Sequence, residues 1–367
     1  MHGGVPPEPR APRLRVLGLR IGDYEAGPDD AITDVPGITV GHVTVWRDEA
    51  DPPDVRGIAR TGVTAIVPGR PEGLFGEPVP AGGAVLNGAG EMTGFIVVAE
   101  WGLVETPVYL TSTMAVGRVF DGAVAAAVAA DGRVGVDDVV IPVVAECDDS
   151  HLSDPRVVQV EAEDAGLAVA RAESGTPPEG AVGAGAGMTA FGWKAGVGTA
   201  SRVVPAADAT VGVLALANLG DGRELRFDGV PVGRLLPAPE RHPRRAGSCI
   251  VVVATDAPLA SGQLHRLARR AGLGLGRTGS VAYHGSGEIF LALSTGARRT
   301  RDAAPAEALP DRALDEIFPA VIDATEEAVL NALWAAPDVA GRDGRLVRGI
   351  PHDEVLALLR SHGRLAE

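Results

Sequence analysis

The chain passes from two small residues and a serine into its most β-prone run in the stretch Ala246-Gly247-Ser248-Cys249-Ile250-Val251-Val252-Val253-Ala254-Thr255-Asp256. Residues 237–245 before it are polar and rich in proline, which is typical of an irregular loop. The apolar run after it is typical of a buried strand. Ser248 is therefore predicted to lie where an exposed loop enters the core. It is either the ordinary first residue of a strand or a new N-terminus made by cleavage of the Gly247–Ser248 bond.

The composition is that of a well-buried globular protein, with 46% hydrophobic and 22% charged residues. At 367 residues, the chain is long for one domain and could hold two. Aromatic residues make up only 4%, so we expect a core built mainly from Val, Leu, Ile and Ala. The net charge of -15 argues against binding to nucleic acid or to an anionic membrane surface.

Cysteine usage and the N-terminal residues point to a cytoplasmic protein without a metal site. Cys147 and Cys249 have neither the number nor the spacing of a disulfide framework or a zinc site. We interpret Cys249 as a small core residue that points away from Ser248, because side chains alternate along a strand. Residues 1–15 are polar and contain no apolar secretory segment. We also expect no stretch that is apolar enough over the length needed to span a bilayer.

Two glycine-rich tracts, residues 82–94 and 183–202, do not have the pattern of a phosphate-binding loop. The first does not lie cleanly between a strand and a helix with a later acidic residue. In the second, Trp193 occupies the position that such a loop requires for lysine, and the Lys194 that follows is not followed by Ser or Thr. Its alternating small residues instead favour hairpin strands that leave backbone open around a ligand. A glycine-rich ligand-binding protein without catalysis is therefore one alternative.

The coarse pattern has strands in both halves of the chain, helices outside them and no strict βαβ alternation. This pattern favours sheets that pack together and are flanked by helices. We expect residues 1–30 to form a flexible tail and residues 31–367 to form a single domain. A helix is predicted over 155–173 with Asp154 as its N-cap. The strand predicted over 210–218 ends in Asn218, an amide that is either a turn former or an oxyanion donor.

Several tracts taken together resemble the DmpA-type aminopeptidases, the self-processing L-aminopeptidase/D-esterases and β-aminopeptidases. The tracts extend in one order from about residue 30 to residue 335 and are specific as a set. They are Asp34-Val35-Pro36-Gly37, Leu86-Asn87-Gly88, Gly196-Val197-Gly198-Thr199-Ala200-Ser201-Arg202, Ala217-Asn218-Leu219-Gly220, and Gly247-Ser248 with the strand behind it.

The resemblance implies an α+β fold, the αββα sandwich of N-terminal-nucleophile-type hydrolases, related to ornithine acetyltransferase. It implies self-cleavage between Gly247 and Ser248, with residues 1–247 and 248–367 remaining together as two chains of one domain. Family members assemble as homo-oligomers, commonly tetramers of such heterodimers. The resemblance also assigns roles to four residues. Ser248 is the nucleophile, Asn218 donates to the oxyanion, and Ser286 contacts Ser248 with Glu288 behind it.

The chemistry of these residues agrees with that assignment. A serine hydroxyl is a weak nucleophile until a base takes its proton. A free α-amine has a pKa of about 7.7–8.0, so cleavage would create nucleophile and base in one residue, Ser248. Gly247 admits the distorted backbone that attack on its carbonyl requires. Ser286 and Glu288, as residues i and i+2, can point to one side of an extended segment.

The sequence thus predicts a serine hydrolase that releases N-terminal residues from short peptides, amino-acid amides or esters without a cofactor or metal. Acyl transfer is a second enzymatic reading, but the acetyltransferase relatives of this fold use threonine where this chain has Ser248. Residues 145–152 are expected to line the substrate pocket, and family members often carry an aromatic residue there. This chain has only His151, which leaves the substrate preference open, including α versus β and L versus D.

Overall fold

The computed structural model describes residues 7–10, 12–237, 247–301, 303–304 and 307–366. The described residues form the following strands: β1 Ile38–Arg47, β2 Ala59–Pro68, β3 Val79–Gly88, β4 Leu103–Val104, β5 Val108–Ser112, β6 Val143–Cys147, β7 Thr189–Ala190, β8 Trp193–Lys194, β9 Val197–Val204, β10 Ala209–Asn218, β11 Ser248–Thr255, β12 Gly287–Ser294, β13 Val339–Ala340 and β14 Leu346–Val347. Their α-helices are α1 Phe95–Trp101, α2 Val116–Ala130, α3 Glu163–Ala170, α4 Val232–Leu235, α5 Ser261–Thr278, α6 Leu314–Trp334 and α7 His352–Ser361.

Two sheets form the centre of the molecule. One has six strands in the order β4-β3-β12-β11-β10-β9, and the other has four in the order β1-β2-β5-β6. The strand β11 pairs in antiparallel orientation with β10 and in parallel orientation with β12. Strands from both sides of Gly247 therefore share one sheet.

Helices cover the outer face of each sheet, as the predicted αββα sandwich requires. The helices α5 and α6 pack on the six-stranded sheet, and α2 and α3 pack on the four-stranded sheet. One apolar core, which includes Ile66, Leu216 and Val252, fills the space between the sheets. A second core joins the six-stranded sheet to α5 and α6.

Strand β11 lies in the middle of this sandwich, and all its residues are buried. Its side chains alternate between the two cores: Ile250 and Val252 face the second sheet, and Cys249 and Val251 face the helices. A strand with both faces covered needs a continuous apolar sequence, which explains the Val-rich run that follows Ser248. The interpretation of Cys249 as a core residue is confirmed.

The prediction of a flexible tail over residues 1–30 is wrong for the part of it that the structure describes. Leu14, Leu19 and Ile21 are buried in the core of the six-stranded sheet. The Arg13 guanidinium contacts Glu179 at 2.8 Å and donates to the carbonyl of Thr199 at 2.8 Å. These partners lie far away in the sequence, so the local composition gave no sign of them.

The helix predicted over 155–173 is shorter than expected. Only Glu163–Ala170 is helical, and Asp154 binds the side chain of Arg156 instead of capping a helix. The side chain of Gln159 stabilises part of the non-helical segment before α3, because it donates to the main-chain carbonyls of Arg56 and Asp154. The polar, proline-rich residues 237–245, predicted to form an irregular loop, lie outside the described residues except for Pro237.

By length and composition alone, Thr113–Ala130 could span a membrane, with a mean hydropathy of 1.4, so the expectation that no stretch would qualify is wrong. In the structure, this segment forms α2 and the turn before it. Its middle packs closely on the chain, because a side chain at Gly122 would meet the Ala162 carbonyl at 1.9 Å. Only 22% of the segment is buried, so α2 is an apolar helix in an outer layer.

Candidate active site at the end of the central sheet

Three strand ends meet at one edge of the six-stranded sheet. Asn218 is the last residue of β10, Ser248 is the first of β11, and Gly287 is the first of β12. Ser248 pairs with Asn218 on one side and with Gly287 on the other. The sheet thus brings together predicted site residues that are far apart in the sequence.

Ser248 is buried, with 3% of the residue exposed, and its hydroxyl makes no hydrogen bond of normal geometry with the described residues. Alternation along β11 directs it toward the four-stranded sheet, the same side as Ile250. The thiol of Cys147 lies on that side close enough to interact with the Ser248 hydroxyl, and burial raises the pKa of the thiol, so it stays protonated. A thiol is only a weak hydrogen-bonding group, so this buried hydroxyl is poorly satisfied and is a candidate functional group.

Gly247 has no room for a side chain. A Cβ atom there would lie 2.4 Å from the carbonyl oxygen of Asn218 and 2.9 Å from the Cα of Leu219. The Gly247 carbonyl accepts a hydrogen bond from the backbone N–H of Gly287 at 3.1 Å. The carbonyl that precedes Ser248 is therefore held and polarised by a main-chain donor.

The Asn218 carboxamide is fixed by two main-chain partners. Its Oδ1 accepts from the N–H of Thr189 at 3.0 Å, and its Nδ2 donates to the carbonyl of Asp148 at 2.9 Å. These partners define which end of the amide is oxygen and which is nitrogen. Because an amide nitrogen carries two protons, one N–H of Asn218 is left to donate to a further acceptor.

Ser286 and Glu288 flank Gly287 and are joined to each other, because the Ser286 hydroxyl donates to the Glu288 carboxylate. Glu288 is fully buried, its Oε2 has no partner among the described residues, and burial raises its pKa. The register places this pair next to Ser248. Since no hydrogen bond joins the Ser248 hydroxyl to Ser286, their predicted contact stays a prediction for the cleaved form.

Glu146 is a site residue that the sequence reasoning did not single out. It is buried on β6, accepts from the N–H of Glu91 at 2.9 Å, and accepts from the hydroxyl of Thr113. A Cβ on Gly90 would lie 3.1 Å from its Oε1 and 3.6 Å from the Cα of Gly287, so Gly90 lies close to both Glu146 and the strand partner of Ser248. The sequence signal was a lone acid within an otherwise apolar strand.

The predicted pocket segment 145–152 does reach the site, through the Glu146 carboxylate and the Asp148 carbonyl. The main-chain carbonyl of His151 accepts from Arg345 at 3.0 Å. Across the described parts of the chain, no three His, Cys, Asp or Glu side chains form a group that could hold a metal ion. The groups available for chemistry here are hydroxyls, carboxylates and amides.

Lys194 is the second residue whose importance the sequence reasoning missed. It is the only lysine among the 33 basic residues of the chain, and it is fully buried. Its ammonium donates to the carbonyls of Gly185, Met188 and Ala195 at 3.0, 2.8 and 2.6 Å. Burial lowers its pKa to about 7, and Asp149, whose own pKa burial raises to about 7, acts in the opposite direction on Lys194. The three carbonyl acceptors favour the charged form, because only an ammonium has three N–H donors.

Comparisons with known proteins agree with this geometry. The model of peptidase family S58 matches residues 30–347. The beta-peptidyl aminopeptidase BapA of Sphingosinicella microcystinivorans is 40% identical over 97% of this chain and 93% of that protein.

Two solved structures are similar over nearly their whole length. The L-aminopeptidase D-Ala-esterase/amidase of Ochrobactrum anthropi, described as a variant of the Ntn hydrolase fold, has a TM-score of 0.89 at 40% identity. The alignment with the Ochrobactrum protein covers 97% of this chain and 100% of the Ochrobactrum chain. The β-aminopeptidase of a Burkholderia species has a TM-score of 0.85 at 40% identity, with 96% and 99% covered. The predicted fold and the predicted reaction class are confirmed, and this chain belongs to peptidase family S58, as a hydrolase of the aminopeptidase type.

Proposed function

We propose that this chain cuts itself between Gly247 and Ser248, and that Ser248 then releases N-terminal residues from short peptides, amides and esters. The observation that carries the proposal is the position of Ser248. Its buried hydroxyl, at the first residue of β11, makes no hydrogen bond of normal geometry with the residues that the structure describes, and β11 pairs there with Asn218 and Gly287. Intact-mass measurement on the purified protein tests it, with two chains of 247 and 120 residues as the expected result.

In the proposed self-cleavage, the Ser248 hydroxyl attacks the carbonyl carbon of Gly247. The C–N bond breaks, the nitrogen takes a proton, and Gly247 becomes an ester on the Ser248 oxygen. Water then hydrolyses this ester and leaves a carboxylate on Gly247 and a free amine and hydroxyl on Ser248. The Gly287 N–H already bonds the Gly247 oxygen, so it is placed to stabilise the charge that develops there.

In the proposed turnover, the free α-amine of Ser248 takes the proton of its own hydroxyl, and the oxygen attacks the substrate carbonyl. The remaining N–H of Asn218 donates to the developing oxyanion. The leaving group departs with a proton, and water hydrolyses the acyl-enzyme. The Ser286–Glu288 pair holds the proton network next to this amine.

Replacing Gly247 by alanine is expected to slow self-cleavage by about tenfold or more, since small misplacements of reacting atoms have large effects. The new Cβ would meet the Asn218 carbonyl oxygen at 2.4 Å and push the scissile carbonyl away from the Gly287 N–H. The fraction of cut chain is followed with time by intact mass. Gly276→Ala is the control, because a Cβ at Gly276 meets no atom within 4 Å, and cleavage at the wild-type rate in G247A contradicts the proposal.

Glu146 supports selectivity for a free N-terminal amine. Its carboxylate is buried, and burial raises its pKa, while hydrogen bonds from Thr113 and from the Glu91 N–H oppose that shift. Within the described residues no lysine or arginine forms an ion pair with it, and the neighbouring charges that act on it, Asp148 and Glu91, are acids. The ammonium of a substrate's N-terminal residue would supply the positive charge that pairs with the Glu146 carboxylate. The carbonyl that Ser248 attacks belongs to the same substrate residue.

Glu146→Gln is expected to lower kcat/KM for an aminoacyl nitroanilide by about ten- to a hundredfold, the value of a charge-assisted hydrogen bond. The same change is expected to leave hydrolysis of the matched substrate without an amine unchanged or improved. Self-cleavage should continue, because the uncut chain presents no free amine at Gly247. Equal losses on both substrates would show that Glu146 supports the site only structurally.

We also propose that the protein is a homo-oligomer located in the cytoplasm. Support for association comes from apolar side chains that are largely exposed on and near α1 and α2, namely Ile96 (81%), Trp101 (65%) and Met114 (60%). Exposed apolar side chains of this size that adjoin one another on a protein surface are typical of interfaces. Both cysteines are buried and free, which agrees with a reducing compartment. Light scattering measures the subunit count, and cell fractionation tests the location.

The kind of N-terminal residue that this chain accepts is also part of the proposal. The names of the BapA relatives specify β-peptidyl substrates, and the Ochrobactrum protein is named for L-amino-acid and D-Ala ester or amide substrates. We infer that this chain accepts short substrates with a free amine close to the scissile carbonyl. Comparison of β-homoalanyl, L-alanyl and D-alanyl nitroanilides gives the preference directly.

A further inference from the structure

The buried ammonium of Lys194 and the Asn218 amide contact the same peptide group. The carbonyl oxygen of Met188 accepts from Lys194 at 2.8 Å, and the N–H of the next residue, Thr189, donates to Asn218 Oδ1 at 3.0 Å. Both groups belong to the peptide bond that joins Met188 to Thr189. A hydrogen-bonded chain therefore extends from the ammonium through one peptide and one carboxamide to the free N–H of Asn218.

Such a chain transmits polarisation. A positive charge on the carbonyl side of an amide makes its N–H a stronger donor, and hydrogen bonds in series strengthen one another in a medium of low dielectric. Lys194 is fully buried, so water does not screen it. The effect at the end of the chain is a more acidic N–H on Asn218, at the place where a substrate oxyanion forms.

The same ammonium also joins the two segments that flank the β7–β8 hairpin. It donates to the carbonyls of Gly185 and Met188 before the hairpin and to the carbonyl of Ala195 after it. A neutral amine has only two N–H bonds, so only the charged form donates to all three. No single nitrogen of an arginine carries three N–H donors, so its larger, planar head group could not bond three carbonyls that converge on one nitrogen. This explains why the chain uses its one lysine here.

We propose that Lys194 is a positioning residue for turnover, which orients and polarises the Asn218 amide through the Met188–Thr189 peptide. The proposal rests on the proposed function, in which Asn218 donates to the oxyanion. Self-cleavage does not depend on this chain of bonds, because the Gly247 oxygen is held by the Gly287 N–H. Lys194 is therefore required for turnover and dispensable for the cut.

The test is a double-mutant cycle between Lys194→Met and Asn218→Ala, with kcat measured on an aminoacyl nitroanilide per mole of cut enzyme. We expect Lys194→Met alone to lower kcat about tenfold, with KM changed less than twofold, since the lost interaction acts on the transition state. In the Asn218→Ala background, the same substitution is expected to change kcat less than twofold, because its route to the oxyanion is already gone. Intact mass is expected to show complete cleavage in each variant.

The thermal midpoint separates this role from a structural one. Loss of a buried ammonium is expected to lower Tm equally in both backgrounds, whereas the loss in kcat appears only when Asn218 is present. Asn331→Ala supplies the matched control cycle, since Asn331 is a buried amide that donates to the Thr199 carbonyl at 2.9 Å, away from Ser248. Lys194→Met should keep its full tenfold effect there.

The outcomes distinguish the two proposals. If Asn218→Ala leaves kcat unchanged, the proposed oxyanion role fails. If Asn218→Ala lowers kcat and Lys194→Met lowers it by the same factor in both backgrounds, or not at all, the inference about Lys194 is overturned. Should Lys194→Met not give folded protein, Lys194→Gln serves in the same cycle, because its amide keeps two donors without the charge.

Discussion

Ser248→Ala is expected to remain a single chain of 367 residues and to show no peptidase activity. The substitution removes the oxygen that attacks the Gly247 carbonyl, so the C–N bond cannot exchange for an ester. It also removes the nucleophile of turnover and, because no cut occurs, the free α-amine that would act as its base. Intact mass after denaturation and hydrolysis of aminoacyl nitroanilides check both losses.

Two further serine variants make this result specific. Ser248→Cys keeps a nucleophile at the same position and is expected to be cut. Ser294→Ala removes a buried hydroxyl from the other end of β12, where it donates to the Ala257 carbonyl, and is expected to be cut and active. A second chain that begins at residue 248 in Ser248→Ala would mean that something other than this hydroxyl breaks the bond.

Asn218→Ala is expected to be cut as the wild type is and to lose about 10²- to 10³-fold in kcat, the usual effect of removing one oxyanion donor. The separation follows from the geometry, because the Gly247 oxygen bonds to the Gly287 N–H, and the Asn218 amide uses only one of its two N–H groups on a described residue, the Asp148 carbonyl. Cleavage is followed by intact mass, and kcat is measured per mole of cut chain. Asn331→Ala, which removes a buried amide elsewhere, is expected to keep the wild-type kcat.

Two other results for Asn218→Ala would require a different mechanism. If Asn218→Ala is neither cut nor active, one oxyanion donor serves both reactions, and the role given to the Gly287 N–H is wrong. If the variant is cut and turns over normally, Asn218 is only a structural residue at the end of β10.

Local sequence patterns were sufficient for the parts of the fold that depend on neighbours in the chain. The Val-rich run after Ser248 indicated a buried strand, and the structure has one at Ser248–Thr255. The ordered tracts around Asn218 and Gly247 indicated the family, and with it the αββα sandwich. The hairpin expected within 183–202 is present as β7 and β8. Composition failed at the N-terminus, where Arg13 and Leu14 are anchored by residues that follow much later.

Residue types in a fixed order were enough to predict the reaction class, the fold and the candidate nucleophile. The groups that surround the nucleophile became visible only in the folded chain. Glu146 and Lys194 are ordinary charged residues in the sequence, and their significance comes from burial and from partners that the sheets and loops bring together. Desolvation by the folded chain makes a lone carboxylate attract an ammonium and leaves a buried lysine unscreened. No local pattern records that environment, because it arises only when the two sheets close on each other.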